Sequence, residues 1–319
     1  MADLLIITNR TDFTADFLIQ KLHNLKISFY RLNTEDFPLS IDGSVFINAD
    51  HSEMNICSLK GSIDFEKLKG IWFRRPVKPD VGNLNKNDKI FAERECTEFM
   101  VSLWNLLYDR NWVSHPECLR IAERKMLQLK KAVQVGFMIP DTIISNNSIE
   151  IKTFIENHDE DVIAKPLSSG DYCEGKSAIY TNRISLEDIF LHQSGISLAP
   201  IIIQKRVDKI SDVRVNVFGD KVFSFLLKPK RSNRIIDWRI LRPNEIQYEY
   251  INTPTCIKEY LNKFVKLFSI KFGAFDFVIN KSDDWIFLEN NPNGQWAWLE
   301  QVTNVKMSDA LIELLLNSG

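Results

Sequence analysis

Residues 285–296 read WIFLENNPNGQW, an apolar strand pattern that closes on an acid, two amides and a proline. The segment before it, FGAFDFVIN (272–280), carries one acid, Asp276, amid apolar residues. Side chains alternate along a strand, so Asp276 shares a face with Phe272, Ala274 and Val278, and Glu289 and Asn291 share one with Trp285 and Phe287. With 281–284 as the turn, 280 faces 285 and 276 faces 289. Two carboxylates then oppose each other across an antiparallel ladder, which is destabilising. Either one acid stays protonated or a cation sits between them. Asp276, Glu289 and the Asn291 amide oxygen form a hard-oxygen set suited to a divalent cation, with positions left for phosphate and water. The plainer alternative is a carboxylate pair at a solvated sheet edge without metal.

A second stretch, GDYCEGKS (170–177), matches the phosphate-loop expression G-x-x-x-x-G-K-S. That expression works only with a strand before it and a helix directly after, which puts the phosphates at the helix N-terminus. The sequence that follows, SAIYTNR, is β-branched and aromatic and reads as a strand. The stretch is therefore a glycine-containing loop between two strands. Its backbone N–H groups can cover phosphates, or it is a plain surface hairpin.

The elements that must position these residues follow an α/β pattern. LLIIT (4–8), SFYRL (28–32) and GIWFRR (70–75) read as strands, with helices over 12–25 and about 87–108. No G-x-G-x-x-G follows the first strand, so a dinucleotide site has no support. One helix is expected over 117–135, stopping at Gly136 with Pro140 beyond. Strands follow at 161–166, 177–181 and 200–207, then a hairpin over 212–227 turning at Gly219-Asp220. A helix at 255–268, the strand pair described above and a helix at 307–317 complete the chain. Domain borders fall near 115 and 200.

The chain has 319 residues and a net charge of −2, which gives no prior for nucleic acid or a membrane surface. No apolar run is long enough to span a bilayer, and the start lacks a signal-peptide pattern. The five cysteines (57, 96, 118, 173, 256) are scattered, which fits reduced thiols and a cytoplasmic location. The five histidines show no ligand spacing for zinc.

The pieces resemble a family. The Asp276 strand followed by Glu289-Asn290-Asn291-Pro292-Asn293 resembles the metal site of ATP-grasp carboxylate–amine ligases. Lys125 in ERKMLQLKKAVQVGFMIP matches their first nucleotide lysine. Lys165 in VIAKPLSSG matches the second, ahead of a mobile loop containing Ser168, Ser169 and Gly170. IIIQKRV resembles the hinge strand that receives adenine, with Gln204, Lys205 and Val207 in place, and Asp212-Val213-Arg214 resembles the D-x-R that opens the next strand. GIWFRRP, IIDWR (235–239) and FLENNPNGQWAWLE resemble segments of the graspetide synthetases, ATP-grasp ligases that make microviridin-like peptides. Lys205 departs from the Glu that many relatives carry.

The resemblance implies an ATP-grasp fold: an N-terminal α/β lobe (1–115), a central lobe (116–200) and a C-terminal lobe (201–319). It implies ATP and Mg2+ as cofactors, held by Lys125, Lys165, the Ser168–Gly170 loop, Gln204, Lys205 and Val207, with Asp276, Glu289 and Asn291 on the metal. Arg214 and Lys165 become catalytic candidates. Arg74, Arg75, Asp212 and Arg239 become candidates for gripping substrate. A surface salt bridge is the ordinary alternative for the arginine doublet, and a solvated face for Lys125. The implied activity is phosphorylation of Asp or Glu side chains in a ribosomal precursor peptide, followed by ester or amide closure with Ser/Thr or Lys. Such chemistry runs on positioning and charge, without a catalytic triad. The implied partner is a precursor peptide with a leader and an acidic core, and a homodimer is compatible with the family. The basic stretch 226–239 either holds that peptide or is a solvated loop. Trp296 and Trp298 either pack the final helices or wall the cleft. Two other readings stay open: a ligase acting on an amino acid, small molecule or protein tail, and a non-enzymatic ATP-binding regulator.

Overall fold

The computed structural model describes residues 2–59, 61–168, 171–172, 177–230 and 235–317. In the first lobe β1 (Leu4–Thr8) leads into α1 (Phe13–Asn24), whose N-terminus is capped by Asp12 accepting from the Thr14 and Ala15 amides. β2 (Phe29–Asn33) returns parallel to β1. A three-stranded meander of β3 (Ile41–Ile47), β4 (Ser52–Ser58) and β5 (Gly61–Ser62) follows. The sequence reading missed the meander because its outer strand residues are mostly exposed and show no clean apolar alternation. β6 (Gly70–Phe73), α2 (Lys86–Leu106) and β7 (Trp112–Val113) complete a parallel sheet ordered β2-β1-β6-β7.

The expected single helix at 117–135 is two: α3 (Pro116–Ala122) and α4 (Lys125–Val135). Arg124 is extended at the break, and Gln128 Nε2 donates to the Ala122 carbonyl at 2.6 Å, satisfying an end group of α3. The break places Lys125 in the first turn of α4. Next come β8 (Thr142–Ser145), α5 (Ser148–Glu156) and β9 (Val162–Lys165). β10 (Asp171–Tyr172) and β11 (Ser177–Ala178) pair antiparallel, so no helix directly follows the phosphate-loop expression. The strand expected over 177–181 is β11 plus β12 (Asn182–Arg183), which pairs with β9. α6 (Leu186–Leu191), α7 (Gln193–Leu198) and β13 (Ile201–Lys205) close a sheet ordered β12-β9-β13-β8.

The third sheet is built on β14 (Lys209–Phe218) and β15 (Lys221–Pro229), the expected hairpin. β16 (Ile246–Ile251), α8 (Thr255–Leu267), β17 (Phe272–Asn280) and β18 (Trp285–Asn291) follow, in the order β16-β15-β14-β17-β18. Val213, Val215 and Val217 alternate onto one face with Phe275, Phe277 and Phe287, packing against α8, α3 and α4. Asp212, Arg214 and Asn216 point to the other face. There α9 (Ala297–Thr303) and α10 (Met307–Leu316) join α1 in a core that links the first and third sheets. Trp296 is buried in that core against Phe218, so it is packing, while Trp298 rests on Trp238 and Tyr248.

The strand pair carrying the acids needs one correction. Asp276 does face Glu289, but the turn pairs Ile279 with Trp285, and a bulge at Leu288 restores the register. Phe287 pairs with Phe277 in the apolar core, so Glu289 lies on the opposite face from Phe287, not the same one. One extra residue in one strand reverses the alternation beyond it.

Candidate active site

Cross-strand pairing sets Arg214 of β14 beside Asp276 of β17, and Asp276 beside Glu289 of β18. Arg214 Nη1 donates to both Asp276 oxygens at 2.9 and 2.8 Å. Arg239 Nη1 reaches Glu289 Oε1 at 3.2 Å, and Lys125 Nζ lies 3.6 Å from Glu289 Oε2. The facing acids are thus offset by three cations. Burial pushes the Asp276 carboxyl above its ordinary range, with Glu289 adding to it against the pull of Arg214. Burial also raises Glu289, but Lys165, Lys125 and Arg239 outweigh it and hold that carboxyl below the usual range. The two facing acids are therefore shifted in opposite directions, Asp276 up and Glu289 down.

Lys165 ends β9 almost fully buried, its Nζ 3.5 Å from the Leu288 carbonyl. Burial lowers its ammonium to about 8. Lys125 Nζ donates to the Pro166 and Ser168 carbonyls at 2.9 and 3.1 Å, so it ties the start of the loop that follows β9. Ser169 and Gly170, expected to cover phosphates, lie outside the described residues. Asp212 is buried against Lys209, whose Nζ donates to both carboxylate oxygens at 2.7 Å. Burial outweighs that ion pair and lifts Asp212 to about 6.

Several of these groups line two adjoining spaces. A cavity of about 530 Å3 is lined by Pro140, Ile163, Lys205, Arg206, Val207, Val278 and Leu288, among others. It shares Ile163, Ile236 and Leu288 with a charged recess of about 70 Å3 walled by Lys165, Gln204, Asp212, Asp237, Arg239, Asp276 and Glu289. Lys205 and Val207 thus fall in the larger space, where Ile163, Val207, Val278 and Leu288 mix with Arg183, Arg206, Asp208 and Lys209. Gln204 falls in the charged part, fully buried, with Nε2 donating to Thr142 Oγ1 at 2.8 Å and Oε1 unpartnered. Asn291 is exposed at the strand end, and its Oδ1 accepts from the Asn293 amide at 3.0 Å.

The arginine doublet splits. Arg75 is exposed. Arg74 is 1% exposed, pairs with Asp12 at 3.4 Å and donates to the Asn293 carbonyl. It is neither a surface salt bridge nor an open grip, but joins the first lobe to the turn after β18. Burial lowers its guanidinium to about 10. Arg239 is also less free than expected: its Nε and Nη2 donate to Asp237 at 2.9 and 2.7 Å. Sequence reasoning missed Asp237, Lys209, Asp12 and Gln128. Asp237 was visible in the DWR tripeptide, and Gln128 stands three residues after Lys125, hence on the same helix face. Lys209 and Asp12 gave no signal short of the fold.

The MvdD pre-ATP-grasp domain model matches residues 3–120. No curated protein matches the chain. Among solved structures, the macrocyclase MdnC from Microcystis aeruginosa MRC, bound with precursor peptide MdnA, is similar: 23% identity, 99% of each chain covered, TM-score 0.84. A RiPP-associated ATP-grasp ligase from Chryseobacterium gregarium, in complex with ADP and a leader and core peptide, is 25% identical. The match covers 99% of this chain and 96% of that one, with TM-score 0.85. The ATP-grasp ligase PsnB, complexed with minimal precursor, Mg and ADP, is 18% identical over 98% of this chain and 97% of its own, with TM-score 0.76. Residues 3–120 thus match an MvdD-type pre-ATP-grasp domain, and the whole chain shares the fold of solved ATP-grasp peptide ligases.

Proposed function

We propose that the chain is an ATP- and magnesium-dependent ligase that crosslinks acidic side chains of a ribosomally made precursor peptide. The observation that supports it most is a recess walled by two facing carboxylates, Lys165 and Arg239, with Arg214 paired to one acid and Lys125 near the other. The whole-length likeness to a peptide-bound macrocyclase and a peptide-bound ATP-grasp ligase points the same way. In this reading the apolar wall of Val207, Val278 and Leu288 in the larger cavity receives the adenine, and Lys125 and Lys165 meet the phosphates.

The donor set fits magnesium: two carboxylates and an exposed amide oxygen, all hard ligands. Among the described residues no group of three or more His, Cys, Asp or Glu is placed to hold a metal. Asp276, Glu289 and Asn291 would therefore hold the ion together with nucleotide phosphates and water. A magnesium ion held there would supply charge neutralisation for the nucleotide phosphates. Arg214 and Arg239, which pair with the two acids, are placed to stabilise charge on the transferred phosphoryl group. A peptide carboxylate oxygen attacks the γ-phosphorus and ADP leaves. A hydroxyl or amine of the same peptide attacks the acyl phosphate, loses its proton and expels phosphate. Each bond costs the peptide one water.

The test is the intact mass of a short acidic peptide encoded beside this protein, after incubation with enzyme and magnesium-ATP. Loss of one water per ADP released is the expected result. ADP release with unchanged mass redirects the activity to a free amino acid or small-molecule acceptor. Neither change, with a peptide whose binding has been shown, rejects the ligase.

A further inference from the structure

β18 is the edge of its sheet, so the backbone groups on its outer side have no strand partner. Several are met by a specific group instead. The Phe287 amide donates to the Met138 carbonyl at 2.8 Å. The Leu288 carbonyl takes Lys165. Both groups of Asn290, the residue between Glu289 and Asn291, go to one side chain. The Asn290 amide donates to Gln128 Oε1 at 2.9 Å, and Gln128 Nε2 donates to the Asn290 carbonyl at 2.7 Å. A primary amide offers a donor and an acceptor side by side, as a neighbouring strand would. Gln128 is 2% exposed, and its Nε2 also closes the end of α3 at Ala122.

We infer that Gln128 is a positioning residue for the metal site, an inference that rests on the proposed role of Glu289 and Asn291. It locks the peptide between those two ligands to the helix that carries Lys125. The phosphate-facing lysine and the metal ligands are thereby held as one rigid unit, as outer partners of metal ligands commonly do.

The experiment measures ADP affinity with and without Mn2+, by calorimetry, in the wild type and two variants. Gln128→Met keeps the side-chain length and removes all three bonds. Val135→Ala loosens the far end of the same helix. The wild type should bind ADP more tightly with Mn2+. Gln128→Met should lose about tenfold of that gain, with metal-free ADP affinity unchanged. Val135→Ala should keep the gain. Full retention by Gln128→Met, or equal loss by Val135→Ala, overturns the inference and leaves the metal assignment standing. A wild type without any Mn2+ gain overturns the metal assignment and this inference with it, and is recognised before any variant is measured.

Discussion

Lys165 shows what burial does to a single charge in this cleft. Its ammonium falls from an ordinary value of 10.5 to about 8, chiefly through burial, with Lys125 and Arg239 adding to it against Glu289. As pH drops through 10.5 the unfolded chain takes a proton that the folded chain refuses until about 8. Stability therefore falls over that window and is level below it, by at most about 3 kcal/mol. Lys165→Met should flatten the stability profile between pH 8 and 10 and raise the melting temperature of the ligand-free protein at pH 7. The same change should weaken ATP binding at least about tenfold if Lys165 meets a phosphate as proposed. Urea unfolding across pH and nucleotide calorimetry check the two halves separately. Asn291 is the opposite case, exposed and at the end of its strand. Asn291→Ala should abolish ligation while leaving thermal unfolding within about 0.5 kcal/mol of the wild type. Product formation at the normal rate would remove Asn291 from the metal. The types of these residues were legible in the sequence. Their partners were not, because Arg214 and Asp276, or Arg239 and Glu289, are joined by sheet register and loop path rather than by spacing.

Among the elements, two local departures from regularity build the site. The bulge at Leu288 turns Glu289 out of the aromatic core and onto the face of Asp276. The break before Lys125 makes that lysine a first-turn residue and leaves an α3 carbonyl for Gln128 to close. A third feature is the turn after β18. A Cβ on Gly294 would stand 2.5 Å from Ala274 Cβ and 2.9 Å from Arg214 Nη2. Gly294→Ala should cost about 1–3 kcal/mol through overpacking. Because part of the shift falls on Arg214, turnover should drop by on the order of a hundredfold while ADP affinity changes little. Melting temperature and steady-state kinetics on one preparation separate the effects. Regular stretches such as FGAFDFVIN or the 212–227 hairpin announced themselves by alternation. Bulges and helix breaks did not, since no proline or glycine marks either one and both are set by what packs across them.

Across the whole molecule, the first and third sheets are locked through the chain's C-terminal end. α10 lies so close to β6 that a Cβ on Gly70 would fall on the Leu315 carbonyl oxygen. Asn111 Nδ2 donates to the Leu314 and Leu315 carbonyls at 3.0 and 3.2 Å, and Lys21 of α1 donates to Ser308 Oγ at 2.7 Å. Gly70→Ala forces backbone to move and should destabilise by at least about 1–3 kcal/mol, with ADP affinity of the folded fraction unchanged. Calorimetric melting and ADP titration check this. The sequence by itself determined the periodicities of most strands and helices and the oxygen set at the end of β18. Through resemblance it also pointed to the family and its cleft residues. Alternation and side-chain chemistry are local, so one chain suffices to read them. Tertiary structure alone decided that Arg74 is a buried tie between lobes, that Arg239 is shared between Asp237 and Glu289, and that Gln128 stands in for a missing strand. Each depends on which distant groups are left unpaired once the sheets close, and the demand to satisfy buried charges and edge amides arises only in the folded state.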